Sequence, residues 1–107
     1  MDTMQVVPDV LDYASGSWVV RPGAEEDFVR RWRELLTWTR ASAPGLRWAM
    51  LIRDAAEIRH FISVAGWASA EQRRNWKSLP EFAEKFGACR ALCDAFQGSD
   101  YQLTATV

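Results

Sequence analysis

Apolar residues along this chain recur with two different periods, and each change of period marks the passage from strand to helix or back. SWVVRPG, residues 17–23, predicts a strand of about six residues stopped by Pro22 and Gly23. AEED follows at 24–27 and places acids in the first turn of a helix, where the backbone dipole favours negative charge. That helix is predicted to run to about Ala43, with Phe28, Trp32, Leu35, Leu36 and Thr39 inside one arc of about 100°. Arg30, Arg33, Glu34, Thr37 and Arg40 fill the wet remainder. Trp38 falls outside the arc, either as a ligand rim or subunit contact, or as an aromatic folded over the edge of its own core.

Pro44 and Gly45 break the helix, LRWAMLIRD gives a second strand, and after a short AAE turn IRHFISVAGW gives a third. Both strands are apolar on both alternating faces, which requires cover on both sides. Ser69-Ala70-Glu71-Gln72 and Ser78-Leu79-Pro80-Glu81 each fit the capping-box pattern, so two helices in series are predicted next. The second carries Phe82, Phe86, Cys89, Cys93 and Phe96 on one stripe. Gly98 and Ser99 are expected to end it, leaving DYQLTATV as the last strand.

The order β-α-β-β-α-β predicts an α+β, ferredoxin-like subunit, an antiparallel four-stranded sheet with its helices together on one face. A second copy of the sheet would cover the other face, so a homodimer is expected. Residues 1–14 lack a clear period and contain Pro8, and they are read as an N-terminal arm, flexible or dependent on a partner, ahead of a domain over 15–107.

Composition narrows the functions open to such a unit. At 107 residues there is one domain, and 49% apolar with 25% charged residues is ordinary for a globular chain. A formal charge of -1 supplies no basic stripe for a phosphate backbone, so no nucleic-acid partner is expected. No apolar run approaches the ~20 residues of a membrane helix. MDTMQVVPDV carries an acid where a signal peptide carries positive charge, so a cytoplasmic protein without a membrane partner is expected. Cys89 and Cys93, four apart, would lie side by side on one helix, a poor geometry for a disulfide, and are read as reduced structural thiols. CxxC, HExxH, GxGxxG and Walker-type motifs are all missing.

RPGAEEDF after the first strand, APGL before the second and GWASAEQRRNWKSLPEF after the third stand in an order and spacing that resemble the antibiotic biosynthesis monooxygenase family, over residues 15–107. The resemblance implies ferredoxin-like subunits paired into a dimeric α/β barrel. Trp76 aligns with the catalytic Trp of haem-degrading members, but their strand-one Asn falls at Gly16 and their iron-ligating His at Phe86, so haem chemistry is not implied. Cofactor-independent members, which oxidise phenolic polyketide intermediates to quinones, share Trp67. Their Asn four residues earlier is Ser63 here, their helix Tyr falls at Arg73, and quinol-oxidising relatives often have His where Trp76 stands.

The resemblance therefore implies a monooxygenase with no metal and no other cofactor, acting on a small aromatic phenol, with Trp67, Ser63 and Arg73 catalytic and Phe61, Trp76, Phe82, Phe86 and Arg90 binding substrate. Trp67, Ser63 and Phe61 share one strand face by even spacing, and Arg73 or Arg90 would favour a phenolate by charge. The single His60 points to the opposite face, toward the expected dimer seam. Two further readings stay open: a non-oxidative ligand-binding or polyketide cyclase-like module on the same scaffold, and a dimerisation domain whose aromatics are simply core.

Overall fold

Residues 10–107 are described in the computed structural model. Seven elements follow in order: β1 (Asp12–Val20), α1 (Glu25–Ser42), β2 (Leu46–Arg53), β3 (His60–Trp67), α2 (Ala70–Ser78), α3 (Pro80–Arg90) and β4 (Cys93–Gln102). The strands form one antiparallel sheet in the order β2-β3-β1-β4. This is the expected ferredoxin-like arrangement, in which each helical crossover skips one strand.

Local chemistry accounts for most boundaries. Glu25, Glu26 and Asp27 occupy the first turn of α1. Gly45 turns the chain into β2 at φ 102, a conformation open to glycine, and a Cβ there would lie 2.4 Å from Gln72 Oε1. Ser69 caps α2, its hydroxyl accepting the Gln72 N–H at 3.1 Å. The second expected capping box does not form. Ser78 ends α2 and donates to the Asn75 carbonyl, while α3 starts with Pro80 in its first turn and no side-chain cap.

Two strands differ from the sequence expectation. β1 begins at Asp12, upstream of Ser17, because its inward positions Asp12, Ala14, Gly16, Trp18 and Val20 are all buried and the first of them is acidic. Residues 1–9, most of the arm expected over 1–14, lie outside the described residues. β4 begins at Cys93, so Cys93 and Phe96 belong to a strand and not to the helix stripe. Gly98 stands inside that strand opposite Gly16, where it was expected to stop a helix. Cys89 remains on α3, both thiols are free, and burial pushes the Cys89 thiol up to about 12.

The inner sheet face packs under the helices in two clusters. One gathers Trp18, Val20, Phe28, Leu35, Phe61, Cys89 and Cys93, the other Ala14, Ala43, Ala65, Trp67 and Trp76. Trp38 is partly buried against both, so it folds over the edge of its own core. The outer face carries Trp48, Met50 and Ile52 on β2 beside Gly66, Val64 and Ile62 on β3, and Met50 and Ile52 are about half exposed.

Candidate functional site

Strand alternation sends the even-numbered residues of β1 inward, and the register sets Ser63 of β3, Gly16 of β1 and Gly98 of β4 side by side across the sheet. Two neighbouring glycines leave bare backbone there. Above them lies a cavity of about 380 Å³, within the ~300–1,000 Å³ of small-molecule sites. Trp18, Phe96, Phe86, Phe82 and Trp76 wall it, and Trp32, Leu35 and Leu36 of α1 close it from above.

These walls hold one another. Trp18 packs against Phe96 at 4.3 Å and Phe86 at 5.2 Å between ring centroids. Phe82 stacks on Phe86 at 5.2 Å and meets the Trp76 ring edge-on at 4.7 Å. Thr39 fixes Trp76 from α1, accepting its Nε1–H at 2.8 Å while donating to the Leu35 carbonyl. The Trp18 indole donates to Ser63 Oγ at 3.0 Å, which leaves the serine hydroxyl hydrogen free to turn toward a bound oxygen atom.

A Cβ on Gly16 would sit 2.8 Å from both Phe96 Cε1 and Trp18 Nε1, and 3.1 Å from Ser63 Oγ. Gly16→Val is therefore expected to lower stability by about 1–3 kcal/mol and to weaken any cavity ligand. Denaturant midpoints with ligand titration check this; an undisturbed affinity would show that nothing binds over the glycines.

One end of the cavity is polar. Lys77 Nζ lies 3.0 Å from Asp100 Oδ1, and both residues line the cavity. Arg73 Nη1 holds the other Asp100 oxygen at 3.0 Å, and Arg73 Nε meets the buried Asp12 carboxylate at 2.5 Å. The hydrogen bond to Asp12 is the main cause that raises the Arg73 pKa above its ordinary value.

The structure brings together four of the residues picked from sequence, Ser63, Trp76, Phe82 and Phe86, in the cavity lining. The other four stand outside it. Trp67 is fully buried one layer behind, 4.9 Å from the Trp76 ring, and its Nε1–H has no hydrogen-bond partner among the described residues. Phe61 packs against Phe28 at 5.2 Å in the core. Arg73 is committed to Asp12 and Asp100, and Arg90 donates to the Cys93 carbonyl at the far end of α3. Sequence reasoning missed Trp18, Gly16, Phe96, Lys77 and Asp100, although the even spacing of Gly16 and Trp18 on one strand face was there to be read.

His60 lies on the outer face, opposite Trp67, as the strand period predicts. Its Nε2 is 2.9 Å from Ser17 Oγ and its Nδ1 3.0 Å from Asp54 Oδ2. That bond, then the Ala56 and Glu57 backbone N–H groups, hold the Asp54 carboxyl below the usual range. The three side chains form a satisfied polar chain that tethers the β2–β3 turn. Ser17 sits on a strand paired along both edges, so its neighbouring backbone N–H groups are committed to the ladder and offer no oxyanion hole. Among the described residues, no three His, Cys, Asp or Glu side chains are grouped to hold a metal ion, and no helix is long and apolar enough to cross a membrane.

The family model described as antibiotic biosynthesis monooxygenase matches residues 14–86. Solved structures share the fold. SnoaB, a cofactor-independent oxygenase from Streptomyces nogalater, superposes with a TM-score of 0.83 at 19% identity, over 92% of this chain and 97% of that one. A conserved protein from Methanosarcina mazei Go1 gives 0.78 at 13% identity, over 90% and 96%. A structure described as an antibiotic biosynthesis monooxygenase gives 0.73 at 18%, over 91% and 100%. No curated protein matches the chain.

Proposed function

The chain belongs to the antibiotic biosynthesis monooxygenase family, and from that premise we propose that it oxidises an aromatic, polyketide-type phenol with O₂ to a quinone without metal or flavin. The observation that carries this reading is the aromatic-walled cavity over bare glycine backbone, with the Ser63 hydroxyl at its floor. Such a slot suits a flat electron-rich ring.

An anthrone-type substrate sets the chemistry. Loss of a proton to bulk solvent gives an anion able to pass one electron to O₂, and a proton returns when the hydroperoxide forms. Recombination of the two radicals forms a C–O bond, and loss of water from the resulting hydroperoxide leaves the quinone carbonyl. The balance is one CH₂ and one O₂ in, one C=O and one H₂O out. Protein groups need only orient the ring and stabilise the anion. We assign the first task to Trp18, Trp76, Phe82, Phe86 and Phe96, and the second to Ser63, whose hydroxyl keeps its hydrogen to donate. Trp67 backs Trp76, and Arg73 positions Asp100.

A non-oxidative ligand-binding or cyclase-like role is favoured by one observation. Lys77 and Asp100, the ionisable side chains among the lining residues, are paired with each other and leave no free base. Dioxygen uptake separates the two readings. With anthrones and hydroquinones, and no flavin, nicotinamide or metal added, the oxygenase consumes O₂ and forms quinone in equal amounts. Ligand binding without O₂ uptake would instead support the non-oxidative role.

We also propose that a second copy of the chain covers the outer sheet face, where Met50 and Ile52 stand about half exposed beside Trp48, Ile62 and Val64. A monomeric mass by light scattering at micromolar concentration would overturn this, and a dimeric mass is expected. The protein is read as cytoplasmic.

A further inference from the structure

We propose that the polar end of the cavity selects aromatic substrates carrying a carboxylate, and that Lys77 is the residue that holds it. The inference rests on the reading that the cavity takes an aromatic substrate. Lys77 and Asp100 are the ionisable side chains among the lining residues described, and they stand together at one end of an otherwise mostly apolar surface.

The two cations of this cluster are not equivalent. Arg73 has a side chain only 11% exposed and is bound to the buried Asp12 and to Asp100, so it cannot turn toward a ligand without stranding a buried carboxylate. Lys77 is 39% exposed, has Asp100 as its carboxylate, and carries three donors of which that contact uses one. Half-exposed ion pairs of this kind are weak, so Lys77 exchanges partners at little cost. Asp100 stays neutralised by Arg73 when it does. The cluster thereby offers one labile ammonium group at a fixed place, backed by an ion pair that does not move.

Spacing fits a fused-ring acid. Asp100 and Phe96 both face inward on β4 and lie four residues apart, about 13 Å along the strand, with Gly98 between them. A flat ring system seated over Gly98 and Gly16 reaches toward Trp18 and Phe96 with one edge and presents a substituent to Lys77 with the other.

Calorimetric titration with 2-anthracenecarboxylate and 2-anthracenemethanol, which carry the substituent along the long axis of the ring, tests this on the full chain. The acid is expected to bind about tenfold more tightly than the alcohol. Lys77→Gln abolishes that preference and leaves the affinity for the alcohol within about twofold, whereas Asp100→Asn, which removes the competing carboxylate, strengthens the acid. Equal binding of the two probes by the unaltered protein, or a preference that survives Lys77→Gln, overturns the assignment while leaving the aromatic cavity standing. Binding of neither probe overturns both.

Discussion

Replacing Arg73 with methionine lowers folding stability by about 3–5 kcal/mol, the cost of leaving a buried carboxylate without its counter-ion. Asp12 sits on the inner face of β1 with a side chain 8% exposed, and Arg73 Nε is its charged partner. Methionine preserves much of the packing volume, so the loss reports the orphaned charge. Asp12→Asn combined with Arg73→Met removes both charges and is expected to restore the protein to within about 2 kcal/mol of its original stability, since a neutral pair carries no such desolvation penalty. Urea midpoints of the two single variants and the double variant check it. A loss under about 1 kcal/mol in Arg73→Met would mean that water reaches Asp12.

Trp18→Ala is expected to cost a similar ~3–5 kcal/mol for a different reason. The indole contacts Phe28, Phe86 and Phe96 with centroid distances of 5.1, 5.2 and 4.3 Å, and donates to Ser63. Truncation removes all three ring contacts and opens a void between β1, α1 and α3. At about 4–8 °C per kcal/mol for a small domain, Tm falls by more than ~12 °C. Trp18→Phe keeps most of the packing and loses only the N–H donor, so it is expected to retain most of that stability while altering turnover through Ser63. Calorimetric melting of both variants is the measurement. A Trp18→Ala protein that melts within a few degrees of the original would show that the cavity walls repack around the missing ring.

What could be read from the chain follows from how far each signal reaches. α1, β2, β3 and the Ser69 cap rest on local periods and neighbouring residues, and the structure has them near the expected places. The first part of β4 was hidden by a coincidence, while its last residues, Asp100 to Gln102, fall in the expected DYQLTATV strand. Phe82, Phe86, Cys89, Cys93 and Phe96 are spaced as one helical stripe, and only pairing with β1 takes the last two into a strand. That pairing lies more than 70 residues away in the chain and no local period records it. The Lys77–Asp100 contact was missed as well, because only the pairing that sets Asp100 beside the inward Ala14 of β1 turns it toward the cavity. Asp12 was missed for the opposite reason, since an acid on an inner strand face looks like the end of a strand until its arginine is known. Of the candidate site, the residues on the helix after Pro80 and on β3 were legible by spacing. Trp67 and Phe61 share the inward face of β3 with Ser63, yet their places further along the strand set them in the two core clusters on either side of the cavity, and Arg90 lies at the far end of α3.

The indoles of this small chain give it an optical identity as well as a cavity. Six tryptophans serve 107 residues, and Trp67 and Trp76 are locked 4.9 Å apart at an interplanar angle of 36°. Chromophores held that close in a fixed chiral geometry absorb as a coupled unit, so near-ultraviolet circular dichroism carries a signature of tertiary order at the site itself. Such a band vanishes when side-chain packing loosens, even while the far-ultraviolet spectrum of helices and strands persists. Loss of order around the cavity is thus distinguishable from unfolding without any added label.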